Sequence, residues 1–469
     1  MIVTETIKRK DYGQSRIAKF GDKVYHSSFY IAIMTLIGIW GFTQQEEIVA
    51  IYIMISFASI GLVICKDLTP FFVAVMIVGL TPLARYGQGD YFAPLFLAPV
   101  ILLGGILLRT RLYKVKFRLG RFFVPTLAIA ISITLGGLFF LSPTEYFTPT
   151  GLYYVIGLGF GMLAVYILME SNITQANSKA PSHYFAKIMI GAGIMGIAMV
   201  AYTYYTHYAA IDFAFNMQPP RFQWKNNLSN NLLITMPFAF YLAAKSKHPL
   251  PYFIIGVLQF FAMFLSFSRG GIIFGTLVFP CVVIACIYYG KKARAKFIIT
   301  TVILCSLFVY FLYLNMEYFE RVMQISSDEA RSNMYRLAWD YFREYPIFGT
   351  GLAHDPGIYY RPLTMCIYWY HSTIFQIIAS LGTVGLVAYG IQFVYRAKAI
   401  FEVKNPFNHF VLFSILGFAG YSMVNVGYFV PVPFVPIVLF MFIILDRNNT
   451  YIKATDKTSQ YITIYEERS

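Results

Sequence analysis

Long, continuously apolar segments recur along the whole of this 469-residue chain. A membrane-spanning helix needs about 20 mostly apolar residues, whereas a membrane-spanning β-strand alternates between apolar and polar residues. The segments do not alternate, so the sequence predicts helices and excludes a transmembrane β-barrel. We count fourteen candidate spans, centred on residues 28–42, 47–65, 68–84, 91–108, 122–141, 151–169, 184–204, 228–244, 250–268, 270–289, 297–314, 371–395, 408–428 and 431–445.

The composition agrees with a membrane protein. Charged residues make up 13% of the chain and hydrophobic residues 58%, whereas about 25% of a soluble protein is charged. This balance excludes a soluble enzyme, a disordered chain and a nucleic-acid-binding protein. It predicts an all-α fold, a polytopic transmembrane helix bundle of about 12–14 spans. The five cysteines form no Cys-x-x-Cys pair, so neither a disulfide framework nor a cysteine-based metal site is predicted.

Lysine and arginine are distributed unevenly between alternate loops. If the N-terminus is cytoplasmic, the inside segments carry 27 of these residues and the outside segments carry 4, apart from one long outside loop. Cytoplasmic loops keep their lysines and arginines, whereas translocated loops lose them. The pattern therefore predicts a multi-pass protein of the cytoplasmic (inner) membrane with both termini in the cytoplasm. It also accounts for the net charge of +15 without a nucleic acid.

The chain is predicted to have three parts. Residues 1–26 form a polar cytoplasmic segment without the apolar core of a signal peptide, residues 27–445 form the membrane domain, and residues 446–469 form a frayed cytoplasmic tail. The long extracytoplasmic loop covers residues 315–370. Within it, a Ser-x-x-Glu capping box at Ser326 and apolar residues at helical spacing predict one amphipathic helix.

Three ionisable residues are predicted to lie together at the outer membrane boundary. Arg221 precedes an asparagine-rich stretch, Arg269 stands between two apolar segments, and His371 opens the twelfth span. A guanidinium here either extends to the interface or binds phosphate bidentately, and a lipid diphosphate headgroup lies at this depth. His371 is a candidate general base, with His354 as a competitor and packing among interfacial aromatic residues as the alternative.

Aromatic residues precede His371. Trp369 and Tyr370 could stack on sugar rings, but tyrosine and tryptophan also collect at membrane interfaces, and composition does not separate the two roles. The chain has no Walker A motif and no His-Glu-x-x-His pair, so neither cytosolic ATP chemistry nor a histidine-based zinc protease site is predicted. An energy-rich lipid substrate is the natural alternative.

Four short motifs resemble those of the O-antigen ligase and polymerase superfamily, and they cover residues 221–382 in the order that the family has them. In this chain Asn-Leu-Ser-Asn stands for the family's Asn-Pro-Asn, and His-Ser for its usual His-Asn. The motifs are the Arg…Asn stretch Arg221–Asn231, the Ser-Arg-Gly signature Ser268–Gly270, the Arg…Trp…Pro-x-x-Gly-x-Gly run from Arg336 to Gly351, and the His-x10-Gly pair His371 and Gly382.

The resemblance implies a glycosyltransferase of the C type that acts outside the cytoplasmic membrane and takes a glycan from an undecaprenyl-diphosphate carrier. It further implies that Arg221 and Arg269 hold the diphosphate and that His371 orients or deprotonates the acceptor hydroxyl. Two fixed cations could replace a metal there, so we expect neither a metal nor a cofactor. The implied partners are the lipid-linked oligosaccharide donor, a glycan or lipid acceptor and membrane lipids. The implied substrate-binding residues are Arg336, Ser268, Gly270, Asn230, Trp369 and Tyr370.

The acceptor and the functional class stay open. A polymerase joins lipid-linked repeat units and a ligase moves the finished glycan to a final acceptor, and both share the donor chemistry. The alternative from another class is a transporter or flippase of lipid-linked oligosaccharide. Such proteins usually carry ionisable residues within their spans, whereas these span interiors are nearly free of charge. A cell-wall glycan polymerase of another family would need an outer carboxylate, for which the candidates are Asp328, Glu329, Asp340 and Asp355.

Overall fold

The structure, a computed structural model, describes residues 13, 15–80, 97–148, 152, 154–173, 181–207, 225–316, 328–354, 356, 368–425, 427–429 and 434–466. Every regular element within these ranges is helical, and we number seventeen helices in chain order. The first nine are α1 (Arg16–Tyr25), α2 (Ser28–Gln44), α3 (Glu47–Ile64), α4 (Phe71–Leu80), α5 (Leu97–Tyr113), α6 (Phe123–Leu135), α7 (Pro143–Tyr146), α8 (Val155–Asn172) and α9 (Pro181–His207). The others are α10 (Lys225–Lys245), α11 (Pro249–Leu265), α12 (Arg269–Tyr289), α13 (Arg294–Leu314), α14 (Asp328–Glu344), α15 (Thr373–Phe401), α16 (Pro406–Met423) and α17 (Phe434–Glu466).

Each of the fourteen predicted spans overlaps a helix of the described chain, and the all-α, polytopic membrane fold is confirmed. Seven helices of the described chain are long and apolar enough to cross a membrane, or eight if α1 and α2, which meet at 60°, form one bent span. Three further apolar helices, α4, α6 and α11, have 10–17 residues. The count of fourteen stays a prediction, because it depends on helices that are too short or too polar to span by these measures alone.

Helix α10 forms the centre of the bundle. It packs against α9, α11, α12 and α16, and its side chains from Leu232 to Leu242 are all buried. A helix that is buried all round belongs to the interior of a membrane protein. By contrast, only 11% of the residues in the most apolar stretch of Lys291–Leu314, the segment that contains α13, are buried. This is expected for a helix that faces lipid. The central position of α10 carries the asparagines of its first two turns into the interior.

The two ends of the chain contain more helix than the sequence predicts. Helix α1 lies within the polar N-terminal segment, and its N-cap Ser15 accepts a hydrogen bond from the N–H of Ala18. Helix α17 continues to Glu466, so most of the predicted tail is helical. Polar residues extend a helix without leaving an apolar signal, which explains why the pattern of apolar residues missed both.

The helix predicted in the long loop is present as α14. Arg336, Asp340 and Arg343 are exposed, whereas Ala338 on the opposite face is fully buried, so the helix is amphipathic as predicted. Ser326 of the predicted capping box lies outside the described residues.

Ion pairs gather where α15 ends. Arg121 pairs with Glu402 and with Asp446, and Lys453 also pairs with Glu402. The loop before α6, the end of α15 and the middle of α17 therefore meet at one end of the bundle. The loop charges predict that this end is cytoplasmic.

Two arginines that the sequence assigns to cytoplasmic loops are buried within helices. Arg109 belongs to α5 and is 1% exposed, and Arg396 belongs to α15 and is 8% exposed. The prediction that span interiors are nearly free of charge therefore needs correction at both positions. A guanidinium can be buried where fixed acceptors or aromatic rings surround it, and local sequence does not reveal such surroundings.

Candidate functional site

Three helices begin close together at the other end of the bundle. Ser268, which precedes α12, donates its hydroxyl to the side-chain oxygen of Asn226 in the first turn of α10, at 2.9 Å. The Tyr421 hydroxyl lies 3.4 Å from the Ser268 hydroxyl and donates to the backbone oxygen of Asn226 at 2.9 Å. Asn425 donates to the Tyr421 hydroxyl at 2.9 Å, and Thr373, the first residue of α15, donates to the backbone oxygen of Asn425 at 3.4 Å. This network joins the N-terminal ends of α10, α12 and α15.

Arg269 is the first residue of α12, and its side chain is half-buried. The turn before it is tight, because Phe267 has a positive φ of 54°. Gly270 leaves no room for a side chain, since a Cβ there would lie 2.8 Å from the Val424 side chain. The Ser-Arg-Gly sequence thus packs the start of α12 closely against the end of α16 and sets the position of Arg269 beside the network.

His371 has a strained backbone. Its φ of 51° lies in the left-handed region, which residues other than glycine seldom adopt. The Tyr335 hydroxyl donates to the His371 backbone oxygen at 3.3 Å, and the Tyr370 N–H donates to the Gln376 side chain at 3.2 Å. Such strain concentrates at functional sites. Here it turns the chain immediately before α15 and holds the imidazole at the start of that helix.

Gly382 marks a break in α15. It has a φ of 61°, and a Cβ there would lie 2.5 Å from the backbone oxygen of Ile347. Beyond the break, the N–H groups of Thr383 and Val384 donate to the backbone oxygens of Pro346 and Ile347 at 2.8 and 3.1 Å. Only glycine fits this conformation and this close approach, which explains the glycine of the His-x10-Gly motif.

The Gly-x-Gly sequence of the loop completes the same contact. The N–H groups of Thr350 and Gly351 donate to the backbone oxygens of Ala379 and Ser380 at 2.8 and 2.9 Å. Gly349 has a φ of 61°, and a Cβ there would lie 2.4 Å from the Ala379 oxygen. The two motifs therefore form one backbone interlock, which ties the part of the long loop that follows α14 to α15.

Helix α14 packs on α15 next to His371. The Tyr335 ring stacks on Phe375 with 4.4 Å between centroids. Arg331, one turn before Tyr335 on the same face, interacts electrostatically with Tyr335 and with Tyr421 of the network. Burial raises the pKa of the Tyr335 phenol, an effect that Arg331 opposes, so Tyr335 remains a hydrogen-bond donor at neutral pH. Arg331 is thus the α14 cation that the fold directs to the network.

Arg336, which the family resemblance implicates in substrate binding, lies on the exposed side of α14. It is exposed and donates to the side-chain oxygen of Asn333 at 2.9 Å. The structure does not bring Arg336 to the network, because its position is a quarter to a third of a turn away from the face that carries Tyr335.

The remaining predicted substrate-binding residues occupy different depths. Asn230 lies one turn below Asn226 and is buried, and neither polar atom of its side chain has a hydrogen-bond partner in the part of the chain that the structure describes. Tyr370 is buried, whereas Trp369 is half-buried with its ring edge-on to Tyr154. Of these three residues, only Trp369 keeps surface for a ligand, while Asn230 and Tyr370 are buried.

The competing base lies away from the network. His354 hydrogen-bonds the Tyr341 hydroxyl at 3.1 Å and packs its ring 4.7 Å from that of Phe140, away from the network. Arg221 falls outside the described residues, so its place beside Arg269 stays a prediction. Among the candidate carboxylates, Asp340 is exposed on α14.

Several residues of the network carry no functional signal in the sequence. Tyr421 and Asn425 end an apolar segment, and Thr373 begins another, so each looks like an ordinary helix residue. Arg331 is one of several arginines in the long loop. The available signal was the spacing of Arg331 and Tyr335, because residues four positions apart lie on the same face of a helix.

The arrangement suits an anionic ligand. Each helix N-terminus exposes N–H groups and carries a partial positive charge, and such ends bind phosphate. Three of these ends meet here, and Arg269 and Arg331 add full positive charges. Within the described ranges, no group of three His, Cys, Asp or Glu residues could hold a metal ion. The described site offers N–H donors, guanidinium groups and one imidazole.

Comparison with known proteins bears on this region. Residues 254–390 match a family model described as O-antigen ligase, and no curated protein matches the chain. The matched segment includes Arg269, all of α14 and the pair His371 and Gly382. The match confirms the resemblance that the motifs indicate.

Proposed function

We propose that this chain, whose residues 254–390 match a family model described as O-antigen ligase, is a membrane glycosyltransferase of the C type. It takes a glycan from an undecaprenyl-diphosphate carrier on the extracytoplasmic face and transfers it to a glycan or lipid acceptor. The family match supports membrane glycan biosynthesis in general. The carrier and the side of the membrane are parts of the proposal.

One observation carries the proposal. The N-terminal ends of α10, α12 and α15 meet in one hydrogen-bond network, which has Arg269 at one helix start and His371 at another. A site for diphosphate transfer needs fixed positive charge for the leaving group and a base for the acceptor. Both kinds of group are present at the same end of the bundle.

The cations have a defined role in this mechanism. Arg269 and Arg221 hold the diphosphate, and Arg331 approaches from α14 as a third cation. Ser268 and Gly270 set the turn that positions Arg269, and Asn230 offers its free amide to the donor. Negative charge grows on the diphosphate as it leaves, and guanidinium groups stabilise it because they are charged at every relevant pH and bind phosphate oxygens in pairs.

The transfer step requires one proton acceptor. The acceptor hydroxyl attacks the anomeric carbon of the donor sugar, the new glycosidic bond forms, and the bond from that carbon to the diphosphate oxygen breaks. His371 takes the hydroxyl proton, and the lipid diphosphate leaves with the bonding electrons. Trp369 is a candidate contact for the sugar, and Tyr370 supports His371 from its buried position.

Reconstitution tests this function. Purified protein in liposomes is supplied with a lipid-linked oligosaccharide, and the products are separated by size. Growing glycans on the carrier identify a polymerase, and glycan on a different acceptor identifies a ligase. Carrier-linked oligosaccharide that crosses the bilayer without any new glycosidic bond would instead support a flippase.

We expect the transfer to proceed without a divalent metal, because guanidinium groups neutralise the diphosphate. The reconstituted reaction is measured in excess chelator and again after added Mg²⁺. The expected result is the same rate in both conditions. A reaction that stops in chelator and resumes with Mg²⁺ would show that the arginines do not suffice.

A further inference from the structure

Two neighbouring turns at the ion-pair end of the bundle carry a concentration of exposed positive charge. One turn joins α10 to α11, and the other joins α12 to α13. Because α12 begins in the network of Ser268, its far end lies away from the candidate site. We call this surface the cationic rim, and its exposed residues are Lys245, Lys247, Lys291, Lys292, Arg294 and Lys296.

Aromatic packing brings the two turns of the cationic rim together. Phe253, near the start of α11, stacks on Phe297, near the start of α13, with 4.6 Å between the ring centroids. Both side chains are fully buried. A Cβ on Gly290, which ends α12, would lie 2.5 Å from the Phe297 ring. Helices α11 and α13 therefore begin side by side, and the cations at their starts form one surface.

The cationic rim has no acidic side chain of its own. Residues 225–316, which contain α10 to α13, include no aspartate and no glutamate. None of the ion pairs formed within the described residues includes a lysine of the rim. Arg294 differs from the lysines, because its Nε donates to the backbone oxygen of Ile287 at 3.0 Å and so caps the end of α12.

Other cations at this end of the bundle are paired with carboxylates. Arg121 and Lys453 pair with Glu402, and Arg447 pairs with Glu170. The excess of lysine and arginine in cytoplasmic loops explains why cations occur at this end. It does not explain why one rim lacks the carboxylates that the rest of this end uses. Like charges on one surface repel each other, and an anion beside them relieves the repulsion.

The cationic rim continues directly into an exposed apolar surface. Ile298, Ile299 and Val302, which follow the rim on α13, are each at least half exposed. Ile284 and Tyr288, which precede it on α12, are more than 60% exposed. Charged groups at the helix ends and apolar side chains along the helices match the division of an amphiphile into an anionic headgroup and acyl chains.

We propose that the cationic rim binds the headgroups of anionic membrane phospholipids, whose acyl chains lie along the exposed faces of α12 and α13. Charge complementarity selects the headgroup, because clusters of about four to eight lysines and arginines beside a membrane helix attract anionic lipids. The adjoining apolar surface favours a lipid over a soluble acidic protein. This binding surface does not depend on the proposed glycan transfer.

Lipid titration tests the proposal. Delipidated full-length protein in neutral detergent is titrated with phosphatidylglycerol or with phosphatidylcholine of the same acyl chains, and native mass spectrometry counts the bound lipids. The rim variant combines Lys245→Gln, Lys247→Gln, Lys291→Gln and Lys292→Gln. The control variant removes the same charge from exposed lysines elsewhere, by Lys19→Gln, Lys23→Gln, Lys398→Gln and Lys404→Gln.

We expect the wild type and the control variant to prefer phosphatidylglycerol. The apparent affinity of the rim variant for phosphatidylglycerol should be lower by at least about tenfold, because four attractive charges are lost. The difference between the variants should shrink at high salt, because salt screens exposed charges.

Several outcomes would overturn the proposal. Equal affinity of the wild type for the two lipids, or an equal loss of affinity in both variants, would do so. Binding of polyglutamate to the rim without any preference for phosphatidylglycerol would indicate a soluble acidic partner instead. If the rim variant does not fold, phosphatidylglycerol with a photoreactive acyl chain decides on the wild type. Cross-links to α12 and α13 would support the rim, and cross-links confined to other helices would refute it.

Discussion

At the scale of single residues, backbone strain and side-chain charge occur together in the candidate site. Phe267 and His371 both have positive φ. Each lies two residues before the first residue of a helix that starts in the network. Strained residues of this kind persist where the surrounding contacts hold them. The strain therefore identifies the two turns, and the chemistry of Arg269 and His371 indicates what the turns present.

Replacing Arg269 should remove glycan transfer without removing the fold. We expect Arg269→Ala to lower the transfer rate by roughly 100- to 1000-fold, as for the loss of one donor that stabilises a developing anion. Arg269→Lys should retain part of the rate, because it keeps the charge without the paired donors. The matched control is Arg294→Ala, since Arg294 also begins a helix and is exposed. Unchanged transfer in Arg269→Ala would remove Arg269 from the site.

Replacing His371 by asparagine separates its backbone role from its imidazole. Asparagine tolerates the left-handed conformation better than most residues, so His371→Asn should fold and bind the lipid-linked donor. Its transfer rate should fall by about 100- to 10,000-fold, the usual range for a general base. His354→Asn serves as control and should transfer normally. Joint loss of donor binding and transfer in His371→Asn would assign His371 a structural role.

At the scale of elements, the long loop is positioned by backbone contacts that glycines permit. The Pro-x-x-Gly-x-Gly run meets the break in α15 through four backbone hydrogen bonds, two in each direction. Tyr335 of α14 then reaches the His371 backbone. A shift at the interlock should therefore move His371 as well as the loop.

Alanine in place of Gly382 should destabilise the protein. The positive φ and a Cβ 2.5 Å from the Ile347 oxygen predict a cost above about 2 kcal/mol. Gly390 in the same helix is the control, because a Cβ there would meet no atom within 4 Å. Thermal unfolding in detergent should show a lower midpoint for Gly382→Ala and an equal or higher midpoint for Gly390→Ala. Equal midpoints in the two variants would contradict the interlock.

At the scale of the whole molecule, charged groups mark two opposite ends. Helix α15 begins in the network at Thr373 and ends at the ion pairs of Glu402 with Arg121 and Lys453. The buried α10 runs through the centre between these ends. The loop charges assign the ion-pair end to the cytoplasm, which would place the candidate site on the extracytoplasmic side.

Cysteine labelling tests this orientation. Trp339 on α14 and Lys453 on α17 are both at least half exposed and belong to the opposite ends. In a cysteine-free variant, an impermeant maleimide should label Trp339→Cys in intact cells and Lys453→Cys only after the membrane is opened. Labelling of both positions from the same side would refute the bundle orientation, and the reverse pattern would place the site in the cytoplasm.

The sequence alone determined the membrane class and the helical fold, and it predicted that Arg221, Arg269 and His371 lie at one membrane boundary. It could do so because apolar length and loop charge are local properties that the bilayer imposes on each segment. The tertiary structure alone decided that Tyr421, Asn425 and Arg331 join this site, that Arg336 points away from it, and that Arg396 is buried within the bundle. Those results depend on which helices pack together, and contacts between residues distant in sequence leave no trace in the local pattern.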